Sequence, residues 1–440
     1  MIDIRVLRET PDVVRKDLEK RGMDTSVVDE VVSLDKEWRT SLQEAEGLKA
    51  ERNKVTSEIA ALKKQGKDAS KQIKSMQEIP GKIKAAEERA AAAKAGVDKI
   101  MLTLPNILHE TVPIGKTDED DTVVKTVGKP KELKFKAKDH IELGEICDLF
   151  DIERAARVSG ARFYYLKNEA VLLEFAIVQY VLNHLRKKGF DLFVTPALIR
   201  EEVMEGAGFL PGGRDDIYKI EGDKLYLVGT SEQALAGLHM DEILEKKVLP
   251  RHYCGFSSCF RTEAGAHGRD TKGIFRVHQF DKVEMFVFCK PEDSWKEHEF
   301  LLQTAEEIYK GLEIPYRVVN VCTGEMGSVA AKKYDIEAWF PGQGKYREVV
   351  SCSNCTDYQA RRLRIRCREN PGDPTEIIHT LNSTASAIGR TIVAVVENYQ
   401  NEDGSITIPT ALKPYISIDK ILPKVPKTGQ KEQRPVAKAK

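Results

Sequence analysis

The chain has 440 residues, 41% apolar and 31% charged, and its 69 basic and 69 acidic side chains give a formal net charge of zero. This length accommodates two or three domains with ample core, and neutrality excludes whole-molecule attraction to nucleic acid, so any basic surface must be local. No apolar run is long enough to span a membrane, the first residues lack a signal-peptide pattern, and the eight cysteines, all beyond the first third of the chain, form no disulfide framework. A cytoplasmic protein with reduced thiols and no membrane partner is expected.

Residues 1–25 form a small entry element. Thr10-Pro11 predicts an N-cap with proline in the first turn, opening a helix over Asp12–Arg21 that closes at Gly22. From Val27 the apolar spacing changes to alternating steps of four and three: Val27, Val31, Leu34, Trp38, then Ala45, Leu48, Val55, Ile59 and Leu62, interrupted by Ser41 and Arg52. Such a heptad seam signals a coiled coil. After a polar patch around Gly66, a second seam runs from Ile73 through Ile83, Ala86, Ala90, Ala93 and Val97 to Leu104. The matched seams predict an antiparallel two-helix arm over about residues 26–104, roughly 50 Å long at ~1.5 Å per residue. Pro80-Gly81 predicts a kink or break in the second helix.

The tip of this arm is basic. Between Lys49 and Lys84 lie ten lysines and arginines against four acidic residues, an excess of six. A solvated helix face is also lysine-rich, but a cationic end on an isolated arm fits a grip on a polyanion better.

Residues 1–110 are therefore assigned to an N-terminal domain carrying the arm, and 111–148 to a proline- and charge-rich linker. Residues 149–423 form a larger domain in which helices such as Leu172–Lys188 and Asp293–Leu312 do not alternate regularly with strands. That pattern predicts an α+β fold, an antiparallel sheet flanked by helices. Residues 424–440, rich in Pro, Lys and Gln, are expected to be disordered.

The densest chemistry lies in residues 260–284. Two runs of strand-formers, Tyr253–Phe260 and Ile274–Phe288, flank Ala264–Gly273, a stretch with three glycines, and predict a hairpin. It carries Arg261, Arg276, Glu263, Glu284 and Phe280. Arginine forks suit phosphate oxygens and an aromatic face suits a purine; a surface hairpin with ordinary ion pairs is the plainer alternative. Cys352-x-x-Cys355 supplies half of a structural zinc site, and no second pair stands at a suitable spacing.

These residues carry a resemblance. Gly189–Pro196, the hairpin from Phe260 to Phe280, and Asn382–Arg390 follow the three motifs of class II aminoacyl-tRNA synthetases in order. Gly229-Thr230-Ser231-Glu232, Phe275–Phe280, Glu348–Ser351 and the helical arm are similar to the seryl-tRNA synthetase family, over residues 1 to about 421. The resemblance implies an ATP-dependent homodimeric ligase that makes seryl-adenylate and then seryl-tRNA(Ser), and in general also serves tRNA(Sec) where that pathway exists. It assigns Arg261, Glu263 and Arg390 to catalysis. ATP would meet Arg261, Thr262, Glu263, Arg276, Val277, Phe280, Glu348, Val349, Val350, Ser351 and Arg390, with Mg2+ on Glu348. Serine would meet Thr230, Ser231, Glu232, Glu284, Asn382 and Thr384. The branch it resembles uses no zinc. The arm would hold tRNA(Ser), with Arg269, Asp270 and Lys272 of the hairpin loop at the acceptor end, and the Gly189–Pro196 run would sit in a dimer interface. A synthetase for another amino acid, or an inactive paralogue acting as scaffold or RNA-binding factor, are the competing readings.

Overall fold

The computed structural model describes residues 1–264 and 272–424. Arg269, Asp270 and residues 425–440 lie outside the described residues.

The first helices, Ile4–Glu9 and Pro11–Lys20, pack beneath the arm. Pro11 occupies the first turn as expected. Thr10, however, gives no side-chain cap to the helix it precedes, because its hydroxyl donates to the carbonyl of Val6 in the helix before (3.3 Å). The arm consists of α1 (Ser26–Lys64), a short helix at Ser70–Met76, and α2 (Ile79–Met101). Gly66, with φ +68°, ends the first limb in the left-handed region that glycine adopts at little cost. The second limb breaks after Met76, and Pro80 sits in the first turn of α2, where its missing N–H leaves no bond unmade.

The alanine seam allows close approach: Ala86, Ala90 and Ala93 are buried, and a Cβ on Gly96 would stand 3.0 Å from Leu34 Cδ1. Beyond Ala45 the arm is only two helices thick: the first limb's seam residues Leu48, Val55, Ile59 and Leu62 are half-buried, while Ile79, Ile83 and Ala86 on the second limb are buried. At the base, Val14, Leu18, Val28, Val31, Val97, Met101 and Leu104 form one apolar cluster that includes Tyr358 of the large domain.

The large domain is built on an eight-stranded sheet: β1 (Thr122–Val127), β2 (Asp191–Val194), β3 (Arg251–Phe260), β4 (Gln279–Cys289), β5 (Tyr316–Asn320), β6 (Lys332–Phe340), β7 (Lys345–Asn354) and β8 (His379–Ala387). Its order is β1-β5-β6-β7-β8-β4-β3-β2, antiparallel except for the edge pair β2–β3. The β-branched run at 122–127 thus gives the segment expected as a linker a place on the sheet edge, followed by a capped helix at His140–Cys147. On the hairpin, β4 begins at Gln279 rather than Ile274, since residues 274–278 follow an irregular path.

Helices α3 (Glu169–Lys187), α4 (Ser294–Gly311) and α5 (Ile388–Asn398) cover one face of the sheet. Leu173, Ile177, Val181, Leu301, Ile308 and Ile392 meet Val283, Met285, Val287, Leu381 and Ile336 there in the main core. Strand alternation sends the intervening residues to the other face.

Candidate active site

That other face forms the floor of a cavity of about 790 Å³, within the range that holds a nucleotide and a small co-substrate. The period of two explains its chemistry. Lys282 and Glu284 on β4, Asn382 and Thr384 on β8, Ser351 and Ser353 on β7, and Lys333 on β6 all line it, while their apolar neighbours face the core. Register sets Thr384 opposite Glu284 and Asn382 opposite Ser353.

One end is arranged for a small ammonium and a hydroxyl. Thr230 caps the helix Ser231–Ala236, accepting from the Glu232 N–H at 3.2 Å. The Glu232 carboxylate, 8% exposed, accepts at Oε1 from Gln359 (2.9 Å) and Asn382 (3.0 Å). Burial, then the nearby Glu284, push its pKa up to about 7 against Lys282, the Gln359 bond and Arg261. Glu284, 2% exposed, pairs with Lys282 Nζ at 2.7 Å and accepts from Thr384 Oγ1 at 3.3 Å.

The other end is cationic and aromatic. Arg261 donates from Nε to the Gly229 carbonyl (3.2 Å), and its guanidinium lies 5.4 Å from the Phe280 ring centre. Glu263, held at φ +53°, pairs with Arg276 Nη1 at 3.1 Å. Arg276 Nε is buried without a partner among the described residues, a donor suited to an anion. Arg390 reaches the Glu348 carbonyl at 2.9 Å and stands over Phe275 at 4.8 Å. Glu348 opens 49% of its side chain to the cleft. Burial raises its pKa, but Arg390, Lys333, Arg261 and Lys282 outweigh that and hold the carboxyl below its ordinary value.

Gly273 shows how the hairpin's return limb is seated. With φ +78°, it leaves room for His140, whose Nε2 would stand 2.1 Å from a Cβ there. His140 in turn accepts from the Ile274 N–H (3.3 Å) and meets Glu397 at 3.2 Å.

The cavity brings together Thr230, Glu232, Arg261, Glu263, Arg276, Val277, Phe280, Glu284, Glu348, Val349, Ser351, Asn382, Thr384 and Arg390. Three expected side chains point elsewhere, and this corrects any direct side-chain contact for them. Ser231 bonds Ser257 at 2.7 Å beneath the helix, Thr262 donates to the Asp215 carbonyl, and Val350 belongs to the core because it follows cavity-facing Val349. Phe275, Lys282 and Lys333 also line the cavity; for Lys282 the signal was its place two residues before Glu284. Gln359 gave no such sign, being 127 residues from the carboxylate it holds. Among the described residues, no cluster of three or more His, Cys, Asp or Glu could hold a metal ion, and Cys355 bonds Asn382 instead (3.4 Å).

An antiparallel sheet whose cationic, aromatic-lined face meets a buried pair of acids defines a class II aminoacyl-tRNA synthetase. Residues 217–399 match the family model for the tRNA synthetase class II core domain (G, H, P, S and T), and residues 1–108 match that for the seryl-tRNA synthetase N-terminal domain. The chain is 48% identical to the serine--tRNA ligase of Thermococcus sibiricus, over 96% of this chain and 98% of the relative. It is also 48% identical to that of Dictyoglomus turgidum, over 96% and 100%. The crystal structure of seryl-tRNA synthetase from Pyrococcus horikoshii complexed with ATP superposes with a TM-score of 0.94 at 47% identity, covering 97% of this chain and all of that one. The chain belongs to the seryl-tRNA synthetase family and is a ligase.

Proposed function

We propose that the chain activates L-serine with ATP as seryl-adenylate and transfers the seryl group to tRNA(Ser), and to tRNA(Sec) where that RNA exists. The observation that carries this reading is the meeting, in one cavity, of a buried carboxylate pair with a row of guanidinium groups. Attack of the serine carboxylate on the α-phosphate builds negative charge there and on departing pyrophosphate, so positioning and electrostatic stabilisation dominate catalysis.

Arg261 bridges the serine carboxylate and α-phosphate. Arg276, with its buried Nε, takes the outer phosphates, and Glu263 fixes Arg276 while orienting the nucleotide. Phe280 supports the adenine, and Arg390 leaves Phe275 to cover the opposite face as a cation over the ring. Glu232 and Thr230 receive the α-ammonium; Glu284 and Thr384 receive the side-chain hydroxyl. A pocket of buried acceptors rejects alanine because those acceptors would be left unpaired.

The donor set fits Mg2+. Glu348 and Ser351 offer oxygens on the same wall, and among the described residues buried Asp335 behind them has no hydrogen-bond partner at Oδ1. When bound, the ion neutralises triphosphate charge through oxygen coordination. Glu348 and Ser351 would hold it, and Arg390 keeps Glu348 ionised for that task.

Residues 1–110, including the arm, form the tRNA-binding domain, 149–423 the catalytic domain, with Lys272 near the acceptor end. Two chains pair through the exposed apolar surface of α3 and β2, where Phe175 is 57% and Val194 84% exposed. No helix among the described residues is long and apolar enough to cross a membrane, and the chain acts in the cytoplasm. Amino-acid-dependent ATP–pyrophosphate exchange across all standard amino acids tests the assignment. Serine alone should support rapid exchange; a different preferred amino acid, or no exchange at all, overturns it.

A further inference from the structure

Gln359 lies outside the cavity wall, fully buried, yet its amide nitrogen reaches the amino-acid end through Glu232. Its Nε2 donates to Glu232 Oε1 (2.9 Å) and to the Ala207 carbonyl (3.0 Å), and its Oε1 accepts from Thr380 Oγ1 (2.7 Å). With Asn382 as second donor, Oε1 of Glu232 is saturated. No protein bond among the described residues reaches Oε2, which is therefore left to a ligand. The helix carrying Gln359, Tyr358–Leu363, is itself fixed from the N-terminal domain. Tyr358 donates to the Leu104 carbonyl (2.8 Å), and Arg362 donates to those of Leu102 (2.8 Å), Glu205 (2.9 Å) and Leu210 (3.1 Å).

We infer that Gln359 is a positioning residue for amino-acid binding, which aims the free oxygen of Glu232 at the substrate ammonium and draws its rigidity from the docked base of the N-terminal domain. This rests on the proposed role of Glu232. A buried amide that spends both ends on fixed partners holds a carboxylate in one rotamer, and a charge-assisted bond is stronger than a neutral one. The charged groups around Glu232 are Glu284, Lys282 and Arg261, and the Gln359 bond adds to the two cations in favouring the ionised form.

The test uses full-length protein with Gln359→Met, which keeps the volume and removes the donor, and Thr380→Val, which releases the far end of the amide. Pyrophosphate exchange gives KM for serine and for ATP across a pH series, beside a thermal melt. Gln359→Met should raise KM for serine about ten-fold or more, leave KM for ATP within about two-fold, and move the acid limb of the serine profile to higher pH. Thr380→Val should do the same more weakly, and it decides the matter by the same split if Gln359→Met does not fold. An unchanged serine KM, or serine and ATP KM rising together, overturns the inference. Glu232→Gln separates the two levels: no effect there overturns the ammonium assignment itself, whereas a large effect beside a silent Gln359→Met overturns only the role of Gln359.

Discussion

The arm and the cleft both carry a surplus of cations and use them in opposite ways. In the cleft nearly every charge is tied to another part of the chain: Lys282 to Glu284, Arg276 to Glu263, Arg390 to Glu348. At the arm's tip, Lys54, Lys63, Lys64, Lys67, Lys71 and Lys74 are exposed, and none forms an ion pair with another described residue. Nearer the base, pairs tie the two limbs together, as in Lys49–Glu87 at 2.7 Å and Arg89–Glu44 at 2.6 Å. Charges held in place by low-dielectric surroundings are pre-oriented for a reacting phosphate, which needs one geometry. Loose, solvated charges suit an RNA backbone, which offers many equivalent contacts and releases counterions when they form.

This contrast predicts that damage to the cleft stops both half-reactions, while damage to the tip stops only one. Arg261→Ala should lower the exchange rate by about 10²–10³-fold, the usual loss on removing one aimed electrostatic group, and tRNA charging with it. Exchange near the unaltered rate would break the proposed role of Arg261. For the arm, the place of the cut matters. Removing residues 30–100 entire would also delete Val31 and Val97 from the cluster that docks on Tyr358, beside the helix that holds Glu232. Excising residues 48–86 and joining the limbs by a short turn, just beyond the Glu44–Arg89 pair, leaves that base intact. The shortened chain should keep serine-dependent exchange and lose tRNA charging on the order of 100-fold, with a weaker dependence on salt. Equal loss of both activities would erase the distinction between the two regions.

The two regions also differ in how much of them could be seen in sequence. The arm is local: seam, basic tip, Gly66 and Pro80 each act within a few residues, so spacing alone gave two helices and a break. The hairpin of Arg261 and Glu284 was legible for the same reason. At the ammonium end Glu232 and Asn382 came from the resemblance alone, because they and Gln359 meet only after the sheet has formed, and nothing local to Gln359 marks it. Phe275 shows the same limit. It gains meaning from Arg347 at 4.0 Å and Arg390 at 4.8 Å, on a strand and a helix far along the chain. The edge strand at 122–127 was hidden by its charged surroundings, since a strand whose side chains are mostly exposed leaves little hydrophobic pattern.

A finer test asks whether the cleft's specificity also depends on prepaired groups. Thr384→Val keeps shape but removes the hydroxyl that donates to Glu284. Serine kcat/KM should fall about ten-fold, the loss expected for one hydrogen bond to a buried charge, and the serine-to-alanine ratio should shrink by a similar factor. A drop in serine activity with an unchanged ratio would make Thr384 a packing residue only.

The smallest expected effect is a titration. In the unliganded pocket Glu232 has a pKa pushed up to about 7 by burial and by Glu284. Only its ionised form attracts an ammonium, and serine's ammonium is fully protonated well above that pH. Lowering the pH therefore adds a proton to Glu232 that must leave before serine binds. The serine KM should rise about five-fold from pH 7 to pH 6 and change little above pH 8. KM for ATP should stay nearly flat over the same interval as far as Glu348 governs it, because the surrounding cations hold that carboxyl below its ordinary value and so ionised throughout. A serine KM independent of pH would mean that Glu232 is already ionised in the empty pocket, and that Lys282 and Arg261 outweigh the burial and the neighbouring acid.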